Sequence, residues 1–143
     1  MPSASPSASV LLTRPLPDAR RFAAMLAGAA PNTEVVISPI LRIVPVAYDA
    51  ARLADAAGLV FTSAHAVAAA GAGRGRPAIC VGPRTAELAR AAGFDVTEGR
   101  GDARGLIPLI RAAGVPLIYP HGRHLAQTLP VKGVTVSDQL PQP

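Results

Sequence analysis

VFTSAHAV, Val60 to Val67, decides how the rest of the chain reads. The apolar run Gly58 to Phe61 predicts a strand buried on both faces. It stops at Thr62-Ser63, where an Ala-rich helix begins. Strand, turn and helix in that order put the turn at the carboxyl edge of a parallel sheet, where open α/β folds bind ligands. A hydroxyl at such a turn can cap the helix, and the N–H groups beyond it attract anions. The same grammar returns in AICVGPRTAEL, 78–88, and in PLIYPHGRHLAQTL, 116–129. Three such turns on one edge would build a cleft rich in amide donors.

Composition supports helix-covered sheet. With 143 residues the chain is long enough for one α/β domain with a core. Half the residues are hydrophobic, largely alanine, and Trp is absent. The net charge is +5, and Lys132 is the single lysine beside 13 arginines. GC-rich coding accounts for abundant Ala, Arg, Gly and Pro. An acidic ligand is the other reading of the arginines, which pair carboxylates bidentately. Cys80 is alone, which excludes an internal disulfide framework. MPSASPSAS has neither the basic nor the apolar region of a signal peptide, and no apolar run approaches a membrane span. A cytoplasmic protein with no membrane partner is expected.

Along the chain, residues 1–9 predict a disordered tail. Val10 to Thr13 predicts a strand. A helix opened by Pro17-Asp18 follows, amphipathic through Phe22, Met25 and Leu26 and ended by Gly28 and Pro31. Glu34 to Ser38 is a second strand, and 40–46 is extended beyond Pro39, a crossing point between domains. Residues 48–57 and 64–70 predict helices. GAGRGRP, 71–77, predicts a flexible basic loop. It lacks aromatic partners for nucleic acid and the Lys-Ser/Thr of a P-loop, so no nucleic-acid partner is expected. Strand 78–81, helix 84–92 with Gly93 as its cap, a short strand in FDVTEG, and a helix from Asp102 to Ala113 follow. Strand 116–120, a helix from HGRHLAQTL, strand 134–136 and a linker, SDQLPQP, complete the reading. The alternation means a doubly wound parallel sheet.

VLLTRP, SPILRIVPV, LVFTSAHAV, ICVGPRTAELARAAGFDV and LIYPHGRHLAQTL…GVTV, in this order and spacing over 10–143, resemble uroporphyrinogen-III synthase. The resemblance implies two flavodoxin-like α/β domains, the first discontinuous. Residues 10–38 would open domain one, 39–136 would form domain two, and 137–143 would be the return linker. The rest of domain one would then be absent, and a second chain could supply it. The implied substrate is a linear tetrapyrrole with multiple carboxylates, hydroxymethylbilane. It is cyclised with inversion of ring D and loss of water, without metal or organic cofactor.

The resemblance places Thr62, Ser63, Ala64 and His65 at the first turn and Arg84 and Thr85 at the second, with Thr85 facing the cleft. Gly122, Arg123 and His124 form the third, and Arg14 comes from domain one; all would bind substrate. His65 stands where the family commonly has Asn. Ser137 follows GVTV where the family usually has Tyr, its candidate for assisting departure of the hydroxyl. Ser137 can donate a hydrogen bond but is far less acidic than a phenol; Asp138 beside it is an alternative acid. His121 and His124 lack a third ligand for a metal. A second reading stays open, namely a truncated, non-catalytic α/β module binding an anionic ligand or a partner chain. Ser137 and the missing half favour it, whereas the ordered blocks favour the enzyme.

Overall fold

The computed structural model describes residues 8–125 and 127–142. Pro45–Asp138 forms one compact unit, and the described residues on either side of it form another. In the smaller unit, β1 (Ser9–Leu12), α1 (Leu16–Ala29) and β2 (Glu34–Ile37) make a strand–helix–strand, with β1 and β2 parallel from Ser9↔Glu34 to Leu12↔Ile37. Ser9, expected in the tail, opens the first strand; the tail expectation for 1–7 lies outside the described residues. Pro15 precedes α1, a proline lies in its first turn, and Asp18 meets the positive helix end. The expected apolar stripe of α1 is left open: Met25 is 61% exposed, as is Leu11 of β1 at 62%.

After β3 (Leu41–Pro45), the larger unit runs α2 (Ala50–Ala54), β4 (Gly58–Phe61), α3 (Ala64–Ala70), β5 (Pro77–Cys80), α4 (Pro83–Ala91) and β6 (Asp95–Glu98). A 3₁₀ turn (Arg104–Leu106), α5 (Ile107–Ala112), β7 (Leu117–Gly122) and β8 (Lys132–Pro141) follow. The sheet order is β3-β8-β7-β4-β5-β6. Neighbours from β8 to β6 all pair in parallel. Numbered among themselves in chain order, β4 to β8 lie as 3-2-1-4-5. The doubly wound α/β class is therefore as read from sequence, while flavodoxin itself is ordered 2-1-3-4-5. Either order has a switch point. Here it lies between β4 and β7, because the chain leaves β4 for β5 on one side and later returns to β7 on the other.

Alternation along β4 explains the two cores. Leu59 and Phe61 face one side, with Leu53 of α2, Ala66, Val67 and Ala70 of α3, and Ala86 and Ala89 of α4. Val60 faces the other, with Leu106, Ile110, Leu117 and Tyr119. Gly58 sits where β4 passes β7; a Cβ there would meet Leu117 Cδ2 at 2.7 Å and the Pro77 carbonyl at 3.2 Å, so Leu117 would have to shift.

The loop 71–77 is largely exposed, but it is tied down by hydrogen bonds that its composition does not predict. Arg76 donates from Nη1 to the carbonyls of Leu53 (2.8 Å), Ala54 (3.1 Å) and Ala56 (3.1 Å). It also donates from Nη2 to Ala72 (2.9 Å) and from Nε to Gly73 (3.0 Å). Arg74 adds a bond to the Ala54 carbonyl at 2.6 Å. The Gly73 and Gly75 N–H groups donate to the carbonyls of Ala92 and Gly93. A Cβ on Gly73 would collide with the Gly93–Phe94 peptide, so backbone meets backbone here. The Arg76 guanidinium lies 5.3 Å from the centroid of Phe94, which meets Phe61 edge-on at 5.3 Å. Burial, with Arg74 alongside, lowers the Arg76 pKa, and Asp55 opposes the shift.

Two further expectations change. HGRHLAQTL does not start a helix. Its first two residues, His121 and Gly122, extend β7 because β8 offers them Thr135 and Ser137 as partners; Ala126 lies outside the described residues. The segment SDQLP, read as linker, is extended: β8 runs on to Pro141, and the Gln142 N–H just beyond it donates to the Ile40 carbonyl. Asp102 accepts from the Gly105 N–H at 2.6 Å, but the 3₁₀ turn is capped at Ala103 and α5 begins only at Ile107.

Replacing Arg76 by Ala is expected to lower stability by about 3 kcal/mol, because several carbonyls lose a charged donor at once. Arg76→Lys should recover less than half, since an ammonium cannot span the same acceptors. Urea unfolding measures both, and an Arg76→Ala chain as stable as wild type would contradict the clamp.

Candidate functional site

The carboxyl ends of β4, β5 and β7 deliver the three expected turns to one edge of the sheet. At the first, Ser63 is extended (φ −143°, ψ 140°), caps α3 and accepts from the His65 N–H at 3.3 Å. Ser63 and Ala64 are half-buried and His65 is exposed. At the second, Gly82 precedes Pro83 and no side chain caps α4. Arg84 is exposed and lies 3.8 Å from Glu87 on its own helix, a contact worth little in water. Thr85, expected to face the cleft, is buried from solvent. It falls on the buried side of α4 with Ala86 and Ala89, at 6% exposure, the one buried polar residue among those described.

The third turn gathers the most chemistry. A β-bulge shifts the β7–β8 register, so that His121 pairs with Thr135 but Gly122 pairs with Ser137. The Arg123 N–H donates to the Ser137 carbonyl at 2.9 Å, and Arg123 Nε donates to Asp138 Oδ2 at 2.9 Å. His124 Nε2 stands 3.6 Å from Asp138 Oδ1. Gly122, Arg123, His124 and Ser137 are thus brought together around Asp138. Arg123 has used one of its five N–H donors there and stays half exposed. Arg14 belongs to the smaller unit, where its guanidinium lies 5.6 Å from the Phe22 ring centroid.

Sequence reading missed Tyr119. Its hydroxyl lies 2.7 Å from Thr62 Oγ1, linking β7 to the residue just past the end of β4, at the switch point. The available signal was a polar tip on the last but one residue of an otherwise apolar run, LIYP. His121 stands beside it, ring centroids 5.0 Å apart, with Nδ1 donating to the Gly122 carbonyl at 2.6 Å. The His121 ring occupies the space a Cβ on Gly133 would take. The described cavities of 400 to 450 Å³ lie elsewhere; one, between α3 and α4, includes Ala64. No three His, Cys, Asp or Glu side chains converge as a metal set among the described residues. No described helix is long and apolar enough to cross a membrane.

The molecule is a doubly wound α/β protein whose switch-point edge carries hydroxyls, helix starts and a buttressed arginine. A family model described as uroporphyrinogen-III synthase HemD matches residues 26–137, and the chain belongs to that family. A crystal structure of mutant uroporphyrinogen III synthase from the extremely thermophilic bacterium Thermus thermophilus is similar at a TM-score of 0.54 and 16% identity, over 95% of this chain. At that identity the likeness concerns the fold alone. This chain covers 64% of the Thermus chain. No curated protein matches.

Cys80 is not a nucleophile. Its side chain is wholly buried at the end of β5, and burial pushes its thiol up to about 11 from 9.0. The thiolate is disfavoured in the folded state, so this burial stabilises the fold below about pH 9 and the contribution is lost between there and about 11. A disulfide reagent at pH 8 should label unfolded chain promptly and native chain only as fast as it opens. Immediate labelling of native chain would contradict the burial.

Proposed function

We propose that this chain acts as a uroporphyrinogen-III synthase, a lyase-type activity in tetrapyrrole (haem, sirohaem and chlorophyll) synthesis. The carrying observation is the family match across residues 26–137, which contains all three carboxyl-edge turns. The substrate would be hydroxymethylbilane. Its terminal C–O bond breaks as a proton reaches the departing oxygen, leaving an azafulvene cation. The substituted carbon of ring D attacks, and a spiro intermediate reopens so that the ring closes inverted. A flexible polyanion must be held folded for this, which makes orientation and charge placement the protein's main contribution.

The assignments follow the turns. Backbone amides at Ser63, Ala64 and His65 would meet carboxylates, with the Thr62 hydroxyl beside them. Arg123, steadied by Asp138, would offer its remaining donors to another carboxylate. Gly122 would let the backbone come close, and His124 would contribute charge when protonated. Arg84 and Arg14 are assigned as exposed carboxylate partners. Thr85, being buried, would support the second turn rather than touch substrate. Ser137 would donate a hydrogen bond from the position of the family tyrosine. Residues 10–38 are assigned to a first, discontinuous domain and 39–136 to the second.

Incubation with hydroxymethylbilane tests the proposal, because uncatalysed closure gives isomer I. An excess of isomer III over buffer is expected. Isomer I alone, from chain shown to be folded, would instead make this polypeptide a non-catalytic module for an anionic ligand or partner chain.

A further inference from the structure

Resting on that reading of the crevice, we infer that Tyr119 is a positioning residue that fixes Thr62 as a hydrogen-bond donor to substrate at the switch point. The ring of Tyr119 is locked in the core with Val60, Leu106, Leu117 and Leu129, and the residue is 6% exposed. Only its tip reaches the carboxyl edge, where Oη lies 2.7 Å from Thr62 Oγ1. Thr62 is half-buried, one residue past β4. In such a pair the phenol is the better donor and the aliphatic hydroxyl the better acceptor. With Tyr119 donating, the Thr62 oxygen is engaged and its own hydrogen must point elsewhere. That leaves the Thr62 O–H to donate to an anion or a departing hydroxyl in the crevice.

Other groups at this edge are committed differently. Asp138 accepts from Arg123 Nε, His121 Nδ1 is bonded to the Gly122 carbonyl, and Ser63 Oγ accepts from the His65 N–H. A threonine rotor tied to a core-anchored phenol is aimed before substrate arrives, which is the geometry of a preorganised donor.

Uroporphyrin III, the oxidised and fluorescent form of the product, is the probe, titrated against the full chain. Thr62→Val should weaken binding about tenfold, and Tyr119→Phe several-fold with the fold intact by circular dichroism. The double variant should bind no worse than Thr62→Val alone, because the two hydroxyls act as one unit. Thr62→Ser should keep most of the affinity, since it restores the rotor. If wild type binds and Tyr119→Phe binds equally well, or if the two losses simply add, the positioning role is wrong while the crevice stands. If wild type itself does not bind, the crevice reading fails first and the inference with it.

Discussion

The guanidinium of Arg76 is the constraint on which the larger unit depends. Its donors satisfy carbonyls at the end of α2 and in the loop before β5, and its face covers Phe94. Phe94 in turn meets Phe61, the last residue of the central strand. A short helix such as α2 would be marginal by itself, but here its exposed carbonyl end is bound by a cation tied to the core. The same contact sets where β5 begins and how closely the loop approaches the end of α4. Arg76 is structural although it is a charged residue in a glycine-rich loop, the sort of segment commonly assigned to ligands.

Charge placement at the opposite end of the strands follows a different logic. Arg123 is exposed but not unpaired, because Asp138 accepts from its Nε. A single bond fixes the fork while leaving the guanidinium largely in water. Arg84 has only a distant partner on its own helix. The edge therefore offers Arg123 held by a carboxylate and Arg84 exposed on its helix, flanked by hydroxyls. That division suits a ligand carrying several carboxylates on flexible arms better than one compact anion.

The strands of the larger unit were legible because buried parallel strands are short continuous apolar runs, and 58–61 and 78–81 could hardly be otherwise. The turns were legible from Thr62-Ser63 and Gly82-Pro83. Three things were not. The loop 71–77 reads as flexible because composition cannot report that five carbonyls converge on one arginine. HGRHLAQTL has helix-compatible residues, and what overrides them is the distant partner strand β8. Tyr119 is silent in sequence because its meaning lies in a bond across 57 positions to Thr62. Local pattern shows which elements form, but not which side chains from separate elements meet.

The bulge in β8 carries a consequence for comparing relatives. Val136 is the extra residue, lying between Thr135, opposite His121, and Ser137, opposite Gly122. Beyond it the residues of β8 stand one place out of their earlier register against β7. A relative that has gained or lost one residue here can keep its neighbouring contacts by forming or closing the bulge. Residues one apart in an alignment can therefore be spatial equivalents. The strand behaves as a vernier, so correspondences at its end are better drawn from who stands opposite Gly122 than from position along the chain.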